Sequence, residues 1–408
     1  MTDSNSNEEK ERAVWDFIPL SEYVIPSPPV KQKVKKQINF FKNLIKNEKE
    51  NTTEPFIQKL DLEKLPASKL DRIAPAIDWA NGSNQFHQRI NDWLEEKSSY
   101  NHEIITLIGP SFSGYDEILK NWAERQNLEC ISPPNADQIL SSDKSWFNNP
   151  NENSPWIFPN LESAFFRHTE GLNLIRDFLD KAYSGTLGKG IIGCNSWTWN
   201  FLSYLWHGKF PYTLTLQAFD QDRLTDVFYT LSKKESHREY VFRQSDNGKY
   251  IIPKNYPDED SGENSEFLQS LAAYCRGNLG VAYEYWYSSP RLEPDEILSE
   301  KDGNGSDPPS KLTVWITPWN QIKKPFLPSD SKIEKAIVLH SLLIHNGLSF
   351  EILKELLPLS PNQIMETLII LEEAEILGEV DGKWTVKPAG YPAVREFVQS
   401  NDYLVDQF

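Results

Sequence analysis

Between residues 77 and 219, apolar runs of three to five residues alternate with stretches whose apolar residues recur at helical spacing. A chain with that alternation has few ways to bury both kinds of element. Its strands lie side by side in a mainly parallel sheet, and the helices between them cover the faces. The runs at 104–108, 128–131, 156–158, 190–194 and 213–216 predict five strands, and the longest helical pattern covers 161–183. The expected core is therefore an α/β, parallel, five-stranded, three-layer sandwich.

A chain of 408 residues holds more than one such unit. Residues 1–76 read as a polar, proline-containing tail with a basic amphipathic helix, and 77–220 as the α/β core. Residues 221–300 read as a mostly helical region, and 301–330 as a Gly-, Pro- and charge-rich linker with one strand. In 331–408, three helical patterns precede GEVDGKWTVKP, two strands about an Asp-Gly turn, as in a winged helix.

The first strand of the core, IITLI, runs into GPSFSGYD and then into the helical pattern EILKNWAE. Strand, glycine loop and helix start are the architecture of a phosphate-binding loop, in which backbone N–H groups and the helix dipole receive an anion. Gly109 and Gly114 stand at the two glycine positions. Where such a loop carries lysine and then Ser or Thr, this chain has Tyr115 and Asp116. A carboxylate at Asp116 is placed to cap the helix itself and to repel a triphosphate. The alternative is a plain strand-to-helix turn.

Three further positions bear on phosphate chemistry. The run SPWIFPNLES ends in Asn160 with Glu162 beyond it, so a neutral amide stands where a carboxylate ligand for Mg²⁺ is expected. The run GIIGCNSW ends in Asn195 and Ser196, at the place of a polar γ-phosphate sensor or of a simple helix cap. CRGNLG, in the following region, offers Arg276 as a second sensor or as an ordinary surface or paired arginine.

The order of GPSFSGYD, PWIFPNLE, IIGCNS, CRGNLG and the C-terminal unit resembles the AAA+ and STAND branch of P-loop NTPases over roughly residues 77–390. CRGNLG is similar to the lid motif of STAND proteins, with Leu279 in place of proline. The resemblance implies a P-loop NTPase-like core, a helical lid and a winged helix, with ATP or ADP as the family's ligand. Loss of the lysine, the hydroxyl and the Walker B aspartate together implies a pseudoenzyme with no catalytic residue, no metal site and no required cofactor. The expected role is a non-hydrolysing adaptor or regulatory scaffold acting through protein contacts. Alternatives are a nucleotide-binding conformational switch and a winged-helix DNA-binding regulator.

Charge bears on the partners. The net charge of −17 disfavours nucleic acid. The expected recognition helix carries Glu366, Glu372, Glu373 and Glu375 with no basic residue, which disfavours it further. Residues 31–46 run against this trend: Lys31, Lys33, Lys35, Lys36 and Lys42 accompany an apolar stripe at helical spacing. That segment fits an anionic membrane or an acidic partner, or packs on the protein itself.

Cys130, Cys194 and Cys275 are far apart and read as buried thiols of a reducing compartment. The polar start of the chain and the absence of a long apolar run point to a cytoplasmic protein without a transmembrane segment, with peripheral membrane attachment as the variant. His340 and His345 lack metal-site spacing, and Trp197, Trp199, Tyr204 and Trp206 form either core or an aromatic surface.

Overall fold

The computed structural model describes residues 13–29, 62–95, 103–147, 155–234, 238–253, 263–294, 296, 311–327 and 332–408. The basic segment 31–46, with Lys31, Lys33, Lys35, Lys36 and Lys42, lies outside the described residues.

The central sheet has five strands: β1 (Phe17–Pro19), β3 (Ile104–Gly109), β4 (Trp156–Phe158), β5 (Gly190–Asn195) and β6 (Thr213–Leu216). Their order is β1-β6-β3-β5-β4. Four of them are parallel, and β1 closes one edge antiparallel to β6. Every residue of β3 and β5 is buried, which for a sheet requires cover on both faces and explains their unbroken apolar runs. The helix Trp79–Leu94 packs along the helix Tyr115–Arg125 through Phe86 and Trp122, whose rings meet edge-on at 5.9 Å.

This mixed α/β core with its parallel-rich sheet agrees with the alternating sequence pattern, but two details differ. Residues 128–131 form no strand; Cys130 makes a single parallel bridge to Ile157. These residues remain partly exposed, and Pro133 and Pro134 follow at once, so the run cannot extend into a ladder. The fifth strand comes instead from the N-terminal arm, whose Trp15, Phe17 and Leu20 are buried. The long helical pattern also divides: the helix proper is Asn173–Tyr183, preceded by two 3-10 turns and an irregular stretch at 164–169.

A second, four-stranded sheet draws two strands from the region read as helical, one from the segment read as a tail, and the strand expected in the linker. It contains β2 (Glu63–Lys64), β7 (Glu239–Gln244), β8 (Pro290–Leu292) and β9 (Lys311–Ile316) in the order β2-β8-β9-β7. The strand β7 has mixed burial and pairs with β9 about seventy residues on. Phe228, on the helix Gln221–Lys234, stacks at 4.6 Å on Trp286 of the helix Leu279–Ser288, which in turn meets Phe242 of β7. One aromatic column thereby ties these two helices to the second sheet.

The last unit has the helices Lys332–His345, Phe350–Leu356 and Pro361–Glu373, then a hairpin of β10 (Leu377–Val380) and β11 (Lys383–Val386). Its turn residues Asp381 and Gly382 both have positive φ, at 50° and 74°, as a two-residue hairpin requires. The helix Tyr391–Ser400 follows, and the chain then returns across the core. Among the described residues, no helix is long and apolar enough to cross a membrane.

Gly193 of β5 sits where a side chain would overlap the Pro159 carbonyl oxygen and Leu119. Overpacking there shifts backbone, so Gly193→Ala is expected to lower stability by about 1–3 kcal/mol. Urea unfolding measures it, and an unchanged midpoint would contradict this close approach of β5 to the end of β4.

Candidate functional site

The glycine loop leaves β3 at Gly109 and turns through Phe112, at φ 69°, and Gly114, at φ 75°. Gly114 is the N-cap of the helix Tyr115–Arg125. Both glycines are demanded by the protein's own side chains. A Cβ on Gly109 would overlap Ser113 and Tyr115, and one on Gly114 would overlap the Trp79 ring. The Phe112 ring meets Tyr391 edge-on at 5.7 Å, and the Phe112 carbonyl accepts the Gly280 N–H at 3.1 Å. The loop keeps the strand-to-helix path expected from the sequence, with protein packed against it.

Tyr115, at the lysine position, is buried and donates its hydroxyl to Glu162 Oε1 at 2.5 Å. Glu162, only 3% exposed, also accepts the Asn195 backbone N–H on Oε2 at 3.2 Å and the Asn160 amide on Oε1 at 3.3 Å. Burial raises its pKa above the usual carboxyl value, against the opposing pull of these hydrogen bonds. Burial also raises the Tyr115 phenol, and the Glu162 charge adds to it, so Tyr115 remains a donor.

Asn195 spans two strands. Its amide donates to Ser111 Oγ at 2.9 Å, and its Oδ1 accepts the Trp197 N–H at 2.9 Å, capping the helix Ser196–Leu205. The cap reading and the reach toward the loop therefore hold together in one residue.

Asp116 does not cap its helix, contrary to expectation. No side chain caps Gly114, and the Asp116 carboxylate turns aside to Lys120 at 2.9 Å and Asn160 at 3.4 Å. Burial pushes its pKa up, but hydrogen bonds from Glu117, Lys120 and Asn160, with the Lys120 charge, carry it below the usual range. A lysine one turn along competes successfully for the carboxylate. Among the described residues, no group of three or more His, Cys, Asp or Glu side chains is placed to hold a metal ion.

Arg276, at φ 54°, turns away from the loop: its Nε donates to the Phe408 carbonyl at 2.6 Å. Besides the Gly280 N–H, the side chain of CRGNLG that does reach the loop is that of Asn278, which sequence reasoning passed over. Its amide donates to the Ser111 carbonyl at 2.7 Å while its Oδ1 caps the helix Leu279–Ser288. An Asn just before an apolar helical run was the available signal.

The C-terminal segment completes the surroundings. Asp406 is buried, accepts from Ser196 Oγ, and pairs with Arg395 Nε at 3.2 Å. The Asn200 amide donates to the Val405 carbonyl at 2.7 Å, and Tyr23 packs on Phe408 at 4.6 Å. His340 and His345 lie at this joint. His345 Nε2 accepts the Arg167 N–H at 3.3 Å, and His345 Nδ1 faces the Glu162 carbonyl at 3.5 Å. His340 contacts Arg167 Nη1 at 3.1 Å and the Leu404 carbonyl at 3.1 Å, so its tautomer carries the proton on Nε2. Of the aromatic group, Trp197 and Trp206 are core, Trp199 is half-buried, and Tyr204 is 68% exposed.

No family model matches the sequence. No curated protein matches it. Among solved structures, the chain is similar to a RuvB variant of Thermotoga maritima, with 11% identity, TM-score 0.32, and coverage of 79% of this chain and 95% of that one. It is also similar to a Walker-type ATPase of Pyrococcus abyssi, with 13% identity, TM-score 0.26, and coverage of 79% and 96%. A third likeness is to a STAND protein with a tetratricopeptide-repeat sensor from Pyrococcus horikoshii, with 11% identity, TM-score 0.24, and coverage of 84% and 43%.

Tyr115→Phe removes one donor from a buried carboxyl and is expected to cost about 1–3 kcal/mol in urea unfolding, whereas an exposed hydroxyl would cost little. Burial, with the Arg167 charge adding to it, lowers both histidines to about 4 from 6.5. Stability is then complete above pH 6.5 and falls as the pH drops from 6.5 toward 4, by up to about 3 kcal/mol for each histidine. The double change His340→Gln and His345→Gln is expected to flatten that slope in unfolding curves taken across this range. An unchanged slope would mean that the two rings titrate normally.

Proposed function

We propose that this chain is a P-loop NTPase-like protein of the AAA+/STAND kind that does not hydrolyse nucleotide and acts as an adaptor or regulatory scaffold through protein contacts. One observation carries the reading: the side chain at the lysine position is hydrogen-bonded to the acidic residue beyond β4, Tyr115 to Glu162. In a working site those two positions face a phosphate and a water. Here each occupies the other.

Phosphoryl transfer depends on cationic stabilisation and a metal. The loop has Tyr115 and Asp116 where it would need a lysine and a hydroxyl, and Asn160 where a Mg²⁺ carboxylate is expected. The only lysine in the Asp116 contacts, Lys120, is held by that carboxylate. The Ser111 and Phe112 carbonyl oxygens accept from Asn278 and Gly280, and the Ser111 hydroxyl accepts from the Asn195 amide, so the loop is held by its own protein. A triphosphate would have to approach the carboxyls of Asp116 and Glu162 beside it. The C-terminal unit, with three helices and a hairpin, reads as a winged helix whose acidic third helix suits protein contacts better than DNA.

The test is a thermal-shift titration with ATP, ADP and GTP, with and without Mg²⁺, alongside phosphate release. A ligand at one hundred times its Kd stabilises the native state by about 2.7 kcal/mol, which is a shift of several degrees. The expected result is no shift and background phosphate release that Glu162→Gln leaves unchanged. A concentration-dependent rise in Tm would replace this reading with the nucleotide-binding switch.

A further inference from the structure

Away from the loop, on the face formed by the stretch 164–169 and the helices Asn173–Tyr183 and Ser196–Leu205, lies a depression of about 460 Å³. Its rim is basic, with Arg167, His168 and Arg176, and its floor is apolar, with Leu172, Phe201 and Leu205. In a chain of net charge −17 this combination stands out.

Neither guanidinium meets a carboxylate. Arg176 has no side-chain hydrogen bond or ion pair among the described residues. Arg167 contacts only the neutral imidazole of His340. The nearby acids are engaged elsewhere: Asp177 pairs with Lys144 at 2.8 Å, and Asp180 accepts from Trp206 Nε1 at 2.7 Å. Glu170 does not line the depression.

The recess is also held in shape. The Arg167 backbone is fixed by its N–H to His345, and its Nη1 by His340, while its other guanidinium donors have no hydrogen bond among the described residues. Phe201 stacks on Phe165 at 5.8 Å with an interplanar angle of 14°, so the floor is anchored to the core. A guanidinium fork matches a carboxylate in bidentate geometry, and an apolar surface beside it receives an adjoining hydrocarbon side chain.

We propose that this depression binds an acidic segment of a protein partner, with a carboxylate on Arg167 and Arg176 and a neighbouring apolar side chain on Phe201 and Leu205. A nucleic-acid strand fits less well, because a long polyanion would extend over the surrounding negative field and gain nothing from the apolar floor. The proposal rests on the protein-contact part of the function above and is independent of whether the loop admits nucleotide, so the nucleotide titration leaves it untouched.

Fluorescence anisotropy with a labelled peptide that alternates glutamate with leucine tests it, using the glutamine counterpart as control and the full-length protein. The expected outcome is saturable binding that salt weakens, at least about tenfold tighter than for the glutamine peptide. Arg176→Glu is expected to weaken binding about tenfold or more at unchanged Tm, with Arg176→Gln as the second variant should the charge reversal impair folding. Equal binding of the two peptides, or full binding by a folded Arg176 variant, would overturn the proposal. So would displacement of the peptide by a single-stranded oligonucleotide at lower concentration than by unlabelled acidic peptide, which would make the site one for nucleic acid.

Discussion

A carboxyl group taken out of water must find donors or give up its charge, and Glu162 is the carboxyl around which the core of this protein closes. Its donors come from three separate places: the Tyr115 hydroxyl at the start of the loop helix, the Asn160 amide at the end of β4, and the backbone N–H of Asn195 at the end of β5. Satisfying one group therefore fixes three chain segments relative to one another. With Asn195 so placed, its side chain reaches Ser111 and caps the following helix, and Asn278 holds the other side of the same loop. The loop is thus held from inside the fold at its Ser111 and Phe112 carbonyls and its Ser111 hydroxyl.

The same residue links the core to the C-terminal unit. The Glu162 carbonyl faces His345, whose other ring nitrogen receives the Arg167 backbone, and Arg167 touches His340, which reaches the returning tail at Leu404. Buried Thr198 donates to the Ile344 carbonyl at the same seam. Such a seam is polar, largely buried and dependent on uncharged imidazoles. The three-helix-and-hairpin unit is consequently keyed into the core rather than tethered beside it. Movement between the two has to break several buried hydrogen bonds together, each costly when left unmade.

What the sequence made legible was whatever is encoded within a few neighbouring residues. The alternation of apolar runs and helical periods located β3 to β6, the glycines marked a strand-to-helix turn, and Asp381-Gly382 marked the hairpin, because period and turn chemistry are local. The strand of the linker, β9, was legible as a strand, but the antiparallel edge strand β1 and the partners of β9, namely β2, β7 and β8, were hidden, since they pair with residues far along the chain and their short, mixed patterns carry little signal. At the site, the absence of a lysine after Gly114 was plain, but what Tyr115 does there was not. Nothing near Tyr115 announces that a carboxyl 47 positions on would take its hydroxyl. Asp116 misled for a related reason: as a first-turn acid it fits a cap, yet Lys120 and Asn160 reach it and draw it sideways.

A phosphate-handling loop concentrates cations at a helix start, where backbone dipoles already favour an anion. In this chain that helix start has Asp116, Glu117 and Glu162 nearby, and the one close cation, Lys120, is bound to Asp116. Among the described residues, positive charge without a carboxylate partner is found at Arg167 and Arg176, which line the depression beside the helix Asn173–Tyr183. Arg167 also touches the histidine seam that holds the C-terminal unit. An anion bound at that rim adds negative potential beside His340, which favours the imidazolium form that burial and the Arg167 charge otherwise suppress. Occupancy of the outer site and proton uptake at the seam are therefore linked with the same sign, each making the other more favourable.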